Sequence, residues 1–378
     1  MSSYISVPDP ITPDWLTTVL QQSGMLQRGE VVSVTKRDSG AFNSQIGHLL
    51  LGYSADSPSD APTQLVLKRN TTEAWSIEAG AEEVKFYNLV GSLHHPPVIP
   101  PCYAAAYDEA SGNSYVLLQD LSETHAPPIT RDQQIGFVEG VPPVVHIDAV
   151  VDTLAQLHAY WWEHPLLNTN TFHVGYWSRN ADRFSQYLQR RKTSWESLIE
   201  NESEWLPADV RELYEEVFAR LPHHWDHFLE PRFRTKTHLT LVHGDAYFCN
   251  FLCPRHTTNT EGKPMRSTYL LDWQSPTFDV GAYDLVNLCA AYWTPEQRHE
   301  DDREQRILRH YHQSLLAHGV QNYLWDDLMA DYKTGLIFWI LMPVQDRFGG
   351  ASRDYWWPKM QCLVAAFREW DCLAQMRE

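Results

Sequence analysis

The stretch LVHGDAYFCNFL, residues 241–252, contains the polar residues from which the fold of this 378-residue chain can be predicted. An apolar run leads directly into His243-Gly244-Asp245, and Asn250 follows the aspartate within the same stretch. Glycine lets the backbone turn sharply where other residues cannot. The stretch therefore predicts a short strand that ends in a polar loop.

A second acidic residue follows another apolar run. Asp272 stands at the end of that run in LLDWQ, residues 270–274. Together with Asp245 and Asn250 it supplies two carboxylates and an amide near strand ends, an oxygen-rich set that suits a hard cation such as Mg²⁺. A carboxylate that does not bind the metal can accept a proton from a hydroxyl group. The two stretches together predict metal-assisted chemistry on a hydroxyl.

The apolar pattern divides the chain into a strand-rich part and a helical part. Period-two runs and turn-rich links before residue 120 predict strands and one inserted helix, at residues 31–37, 45–53, 64–69, 74–93 (the helix), 103–107 and 115–119. Helical periodicity dominates after residue 147, at residues 147–162, 180–198, 208–218, 284–292, 301–318, 324–342 and 356–374. This order of elements predicts an α+β protein.

The sequence resembles the aminoglycoside phosphotransferase group of the protein-kinase-like fold, and its ecdysteroid-kinase-like branch in particular. The resemblance lies in the pattern LVLK…E..FY…LLQDLS…LVHGD…N…LLDWQ and covers roughly residues 30–290. It implies a bilobal α+β fold with a small β-rich N-lobe and a larger, mostly helical C-lobe. The expected boundaries are residues 1–119 for the nucleotide-binding lobe, 120–130 for a hinge and linker, and 131–378 for the lobe with the catalytic loop, metal site and acceptor pocket.

The resemblance implies a role for each polar residue of the motifs. Asp245 corresponds to the catalytic base of the kinase catalytic loop. Asn250 and Asp272 correspond to the residues that bind Mg²⁺ at the nucleotide phosphates. Lys68 stands where the family has the strand lysine that contacts those phosphates.

The partner of Lys68 and the nucleotide hinge follow from the same resemblance. Glu82 and Glu83 both fall near the family's helix glutamate, and neighbouring helix residues point about 100° apart, so only one can face the lysine. The spacing ExxFY favours Glu83, although the choice stays open. Gln119 to Leu121 correspond to the hinge, whose backbone groups hydrogen-bond adenine.

Further residues are expected to support the loop, and the sequence departs from protein kinases in places. His243 is expected to hold the catalytic loop by hydrogen bonds, and Asp284 matches a family aspartate that supports this loop. His158 is expected to be a core histidine of an apolar helix face. The phosphate-covering loop has one glycine, and Ser44 is its candidate phosphate contact. HGD replaces the kinase HRD, which argues against activation by phosphorylation.

Composition restricts the partners and the compartment. Thirty basic and 48 acidic residues give a net charge of −18, which disfavours nucleic acid or an anionic membrane as a partner. The first residues lack the basic and apolar regions of a signal peptide, and the six scattered cysteines suit reduced thiols, so we expect a cytoplasmic protein. The sequence does not indicate an oligomeric state.

The predicted function is ATP- and Mg²⁺-dependent transfer of the γ-phosphate to a hydroxyl of a small molecule, such as a bulky alcohol, an antibiotic or a sugar-like metabolite. The alternative is a catalytically weak, pseudokinase-like scaffold that binds nucleotide, since the phosphate loop is poor in glycine. A serine hydrolase is disfavoured because the chain has no GxSxG motif. Fifteen tryptophans favour an apolar acceptor and the acidic surplus a cationic one. Acceptor, phosphorylated position and ATP versus GTP stay open.

Overall fold

The computed structural model describes residues 4–39, 45–93, 95–136, 140–169, 180–202, 204–256 and 267–377. The chain forms two compact units. The first unit consists of Met1–Ala126 and Pro254–Pro276, and the second of Pro127–Cys253 and Thr277–Glu378. The first unit therefore includes a segment from much further along the chain.

The described residues form the following strands: β1 (Val31–Ser39), β2 (Gln45–Tyr53), β3 (Gln64–Arg69), β4 (Cys102–Tyr107), β5 (Ser114–Gln119), β6 (His125–Ala126), β7 (Thr240–Val242), β8 (Phe251–Pro254), β9 (Tyr269–Leu270) and β10 (Thr277–Asp279). They also form these α-helices: α1 (Pro13–Gln22), α2 (Ala74–Val90), α3 (Arg131–Ile135), α4 (Val144–Trp161), α5 (Ala181–Glu202), α6 (Ala208–His224), α7 (Glu230–Thr235), α8 (Ala282–Cys289), α9 (Pro295–His299), α10 (Arg303–Ala317), α11 (Trp325–Trp339), α12 (Met342–Phe348), α13 (Arg353–Glu369) and α14 (Cys372–Gln375).

An antiparallel five-stranded sheet forms the centre of the first unit, with strand order β1-β2-β3-β5-β4. The helix α1 buries Trp15 and Leu16 in a core that also contains Leu65 and Leu67 of β3. Thr12 caps this helix, since its hydroxyl accepts the Trp15 N–H. Side chains alternate between the two faces of a strand, so β3 directs its intervening residues to the opposite face.

The helix α2 packs against β4 and β5. A Cβ atom on Gly80 of α2 would lie 2.3 Å from the Ser114 hydroxyl, so only glycine allows this close approach. The buried positions Gly80, Glu83, Val84 and Tyr87 form one stripe of the helix at spacings of three and four residues. A glutamate therefore lies on the face that packs into the first unit.

The second unit is mostly helical. Its packed pairs include α4 with α10, α8 with α11, and α5 with α12, and β7 pairs antiparallel with β10. Trp161, Trp293, Trp339 and Trp356 are fully buried. These tryptophans therefore belong to the core of the unit.

The α+β class predicted from the sequence is confirmed, and the strands predicted for residues 45–53 and 64–69 coincide with β2 and β3. The single helix predicted for residues 324–342 is wrong, because α11 ends at Trp339 and α12 begins at Met342. Pro343 explains the break: a proline ring clashes with the carbonyl four residues earlier, which here belongs to Trp339.

Two further features concern the whole set of described residues. None of their helices combines the length and apolar character that crossing a bilayer requires. All six cysteines are free thiols, and Cys253, Cys289, Cys362 and Cys372 are buried.

Candidate active site

Lys68 lies near the end of β3, on the same face of the strand as the half-buried Val66 and opposite to the core residues Leu65 and Leu67. Its pairing partners are Ile46 on β2 and Val116 on β5. The lysine thus lies on an inner strand of the sheet. Antiparallel neighbours on both sides hold its backbone in place.

The structure answers the question of the glutamate partner in favour of Glu83. The Lys68 Nζ donates a 2.8 Å hydrogen bond to the Glu83 carboxylate, and the glutamate is 3% exposed. Glu82 instead pairs with Lys85, three residues further along α2, at 2.5 Å. The buried stripe that includes Tyr87 four residues later could have distinguished the two glutamates from sequence alone.

Asp272 completes a cluster with these two residues, because Lys68 also forms an ion pair with its carboxylate. The aspartate has a left-handed backbone with φ of 68° and a side chain that is 32% exposed. Trp273 follows it and stacks on Phe86 of α2 with ring centroids 3.9 Å apart. The backbone N–H of Trp273 also donates a hydrogen bond to the Glu83 carboxylate. The LLDWQ stretch is therefore anchored to α2 directly beside its aspartate.

The cluster contains one ammonium and two carboxylates. Burial opposes the charged form of Lys68, but Glu83 and Asp272 outweigh this effect and raise the pKa of the lysine above its usual value. Burial likewise raises the pKa of Glu83, while Lys68 acts in the opposite direction. The lysine is thus held as a cation whose two anionic partners fix its position.

The predicted hinge residues lie at the end of β5. The Gln119 N–H donates to the Pro101 carbonyl at 2.9 Å, but proline has no N–H to return a bond to the Gln119 carbonyl. Asp120, between Gln119 and Leu121, hydrogen-bonds His48 of β2 at 2.6 Å. The Asp120–His48 pair could not be predicted from the sequence, because the two residues are 72 positions apart. Burial favours a higher pKa of Asp120, but the His48 hydrogen bond and a backbone N–H outweigh it and lower that pKa.

The candidate phosphate contact Ser44 lies outside the described residues.

The catalytic-loop motif follows β7 in the second unit. Gly244 has φ of +82°, a conformation that strongly favours glycine and turns the chain after the strand. The Asp245 N–H donates to His243 Nδ1 at 3.2 Å, and the Asn250 side-chain amide donates to the Asp245 carbonyl at 2.8 Å. Asn250 ends a 3₁₀ turn, Phe248–Asn250. The loop thus brings His243, Asp245 and Asn250 together.

Asp284 supports this loop from α8. Its carboxylate accepts the N–H groups of His243 at 2.7 Å and Gly244 at 2.9 Å. His158 Nε2 lies 3.2 Å from the same carboxylate, and its Nδ1 lies 2.7 Å from the Tyr311 hydroxyl. Asp284 and His158 are fully buried. His158 is thus the core histidine that the sequence predicted, but sequence reasoning missed its hydrogen bonds and the role of Tyr311.

The donor chemistry of the predicted metal ligands fits Mg²⁺. Asn250 donates through its amide nitrogen, which leaves its carbonyl oxygen as the atom that can bind a cation. Asp272 offers carboxylate oxygen, and Mg²⁺ takes few protein ligands because it keeps waters and phosphate oxygens. Within the described ranges, no group of three or more His, Cys, Asp or Glu side chains could hold a metal ion.

An α+β protein in which a lysine of the sheet pairs with a helix glutamate, and whose helical unit carries an HGD loop, belongs to the class of kinase-like proteins. The chain belongs to the ecdysteroid kinase-like family, whose model matches residues 85–321. This confirms the resemblance seen in the sequence. Lys68 and Glu83 lie just before the matched region. Membership of the family supports phosphotransferase activity toward a small molecule.

No curated protein matches the chain. Among solved structures, a choline/ethanolamine kinase family protein from Mesorhizobium loti is 15% identical, with a TM-score of 0.48 over 91% of this chain and 92% of that chain. The GDP complex of aminoglycoside 2'-phosphotransferase-IIIa is 14% identical, with a TM-score of 0.49 over 90% and 93%. The ethanolamine kinase of Plasmodium vivax is 13% identical, with a TM-score of 0.48 over 89% and 84%.

Proposed function

We propose that this protein is an ATP- and Mg²⁺-dependent kinase that phosphorylates a hydroxyl group of a small molecule. The observation that carries the proposal is the cluster of Lys68, Glu83 and Asp272. Lys68 and Asp272 are 204 positions apart in sequence, yet their side chains form an ion pair. Apolar side chains in these positions would stabilise a core at least as well, because burying charges costs free energy. Such a cluster suits the binding of phosphates and a cation.

In the first unit, Lys68 would neutralise charge on the nucleotide phosphates, and Glu83 would keep the ammonium in place. The Gln119 carbonyl, opposite a proline, is an acceptor for the amino group of adenine, and the Leu121 N–H is the matching donor. When bound, Mg²⁺ supplies positive charge that stabilises the phosphoryl group during transfer. Asp272 and Asn250 are its proposed ligands.

In the second unit, Asp245 would align the acceptor hydroxyl and accept its proton. The Asp245 backbone is held by His243 and Asn250, and this part of the loop by Asp284. A base held in this way supplies positioning, which is the main contribution a protein makes to phosphoryl transfer.

The experiment is ADP release by the purified protein against a panel of hydroxylated metabolites and antibiotics, with and without Mg²⁺. Asp245→Asn should lower turnover by about 10²- to 10⁴-fold, because it removes the proton acceptor, while ATP affinity and melting temperature stay unchanged. Asp209→Asn is the matched control, since Asp209 is exposed and forms an ion pair with Arg368. Full activity of Asp245→Asn would remove it as the base.

A second variant tests the metal ligand. Asp272→Ala should abolish the Mg²⁺ dependence of ATP binding, measured by titration calorimetry, because the carboxylate is the proposed ligand. An unchanged Mg²⁺ titration would exclude Asp272. Binding of ATP by the wild-type protein without turnover of any acceptor would favour the scaffold alternative.

A further inference from the structure

Lys359 of α13 is a buried cation that faces several aromatic rings. Its side chain is 2% exposed. The Nζ lies 5.4 Å from the ring centroid of Trp339, 5.5 Å from those of Tyr292 and Tyr355, and 5.9 Å from that of Tyr247. Each distance falls within the range of cation–π attraction, and aromatic groups of this kind bind ammonium ions. We call these four rings the Lys359 cage.

The cage also contains an anion for its lysine. The Asp346 carboxylate accepts a 2.9 Å hydrogen bond from the Lys359 Nζ. Burial opposes the charged form of the lysine, but Asp346 and the surrounding tyrosines outweigh it and raise the pKa of Lys359 well above its usual value. The Tyr292 hydroxyl also donates to the Tyr355 hydroxyl at 3.0 Å, which links two of the rings. The cage is therefore a built ammonium site that the chain's own lysine fills.

One ring of the cage belongs to the catalytic loop. Tyr247 lies between Asp245 and Asn250, and the Lys359 Nζ donates to its hydroxyl at 3.4 Å. The Tyr247 N–H donates to the Asp245 carbonyl at 2.8 Å, and the Asn250 N–H donates to the Tyr247 carbonyl at 2.9 Å. A displacement of the Tyr247 ring is therefore transmitted through the backbone to both polar residues.

We propose that Lys359 is a positioning residue, whose ammonium in the aromatic cage holds Tyr247 and with it the loop from Asp245 to Asn250. This inference rests on the proposed function, in which Asp245 is the base. The opposing view is that the cage is ordinary core packing and that only the volume of the side chain matters. The two views differ in whether charge or volume is required.

The test compares Lys359→Met, which keeps volume without charge, with Lys359→Arg, which keeps the charge. Hydrogen exchange of residues 243–250 reports on the loop and needs no acceptor. We expect at least tenfold faster exchange and at least tenfold lower kcat in Lys359→Met, with ATP affinity within twofold of wild type. Lys359→Arg should recover most of both. Wild-type exchange and kcat in Lys359→Met would overturn the proposal.

Chemical rescue provides an independent readout. Lys359→Ala removes three methylene groups and the ammonium, so propylammonium restores the missing atoms and 1-propanol is its neutral counterpart. Propylammonium should change the tryptophan fluorescence of this variant saturably, because Trp339 lines the cage, and should slow loop exchange. Equal rescue by 1-propanol would show that volume alone matters. Lys85→Ala is the control, since the Lys85 side chain is 54% exposed and its ammonium pairs with Glu82.

The two proposals fail differently. An active wild-type enzyme with an unaffected Lys359→Met variant would overturn the role of Lys359 alone. If the wild-type protein transfers no phosphate, loop exchange in the variants still decides for or against that role. If Lys359→Ala does not fold, the comparison of methionine with arginine decides, because both fill the cage.

Discussion

Asp284→Asn is a perturbation whose effect can be worked out from the contacts of a single carboxylate. In the wild-type protein, one oxygen accepts the His243 N–H and lies near His158, and the other accepts the Gly244 N–H. The aspartate lies in the first turn of α8 but does not cap it, since the N-cap residue is Gly281 and no side-chain cap bond forms. Its carboxylate therefore serves the loop rather than its own helix.

Asparagine has the same shape, but it presents one oxygen and one NH₂ group. The oxygen can serve only one of the two loop N–H groups, and the NH₂ then faces the other as a donor against a donor. A hydrogen bond to a charged group contributes about 1.5–3 kcal/mol, and a buried donor without a partner adds a cost. We therefore expect a loss of about 2 kcal/mol, or about 4–8 °C in melting temperature for a unit of this size. Loosening the loop should also lower kcat about 10²-fold.

The assays are differential scanning calorimetry and ADP release, with Asp152→Asn as the control. Asp152 is 55% exposed and pairs with His310, so its replacement should change neither quantity measurably. A melting temperature and a kcat for Asp284→Asn that both equal those of the control would refute the reasoning. A lower melting temperature with unchanged kcat would show that Asp284 stabilises the unit without positioning the loop.

Three other changes probe the remaining features. Glu83→Gln should weaken ATP binding at least tenfold, because the β3 lysine loses an anionic partner. Glu82→Gln should leave ATP binding unchanged in the same titration. Equal effects of the two variants would contradict the pairing of the lysine with Glu83. Gly281→Ala should lower the free energy of unfolding in urea by about 1–3 kcal/mol, because the added Cβ would lie 2.6 Å from a buried tyrosine hydroxyl. Gly140→Ala is the control and should leave that free energy unchanged, because its Cβ would meet no atom nearer than 3.7 Å. Burial and nearby cations lower the pKa of His224 from 6.5 to about 3. As the pH falls from 6.5 toward 3, the unfolded chain therefore takes up a proton on His224 before the folded protein does. The free energy of unfolding should fall over this range by about 1.4 kcal/mol per pH unit. His224→Gln should reduce that slope in urea titrations between pH 6.5 and 4, and an identical slope would exclude His224.

Much of the site could be predicted because its signals are local. The alternation in QLVLKR predicts that Lys68 faces away from Leu65 and Leu67, and the structure has that arrangement. The spacing ExxFY favours Glu83, and helix periodicity places it on the buried face of α2. The glycine of HGD marks the turn after β7. Each of these features depends on residues that are close neighbours in the sequence.

The remaining features could not be predicted because they depend on long-range contacts. His158 appeared only as a core histidine, since nothing near it in sequence indicates Asp284, 126 positions away. The tryptophan surplus suggested an acceptor pocket, but burial shows that Trp161 and Trp293 are core residues. Lys359 could not be singled out from the sequence, because the residues that surround it are distant in sequence and no local motif includes it.

The sequence by itself thus determined the α+β class, the family and the chemical character of the site. Strand alternation, helix periodicity and glycine turns are local physical constraints, so they can be seen without a structure. Only the tertiary structure decided that Pro254–Pro276 joins the first unit and that Lys359 lies among four aromatic rings. Those arrangements follow from how distant segments bury their apolar surface together, and burial between distant segments is not encoded in the spacing of neighbouring residues.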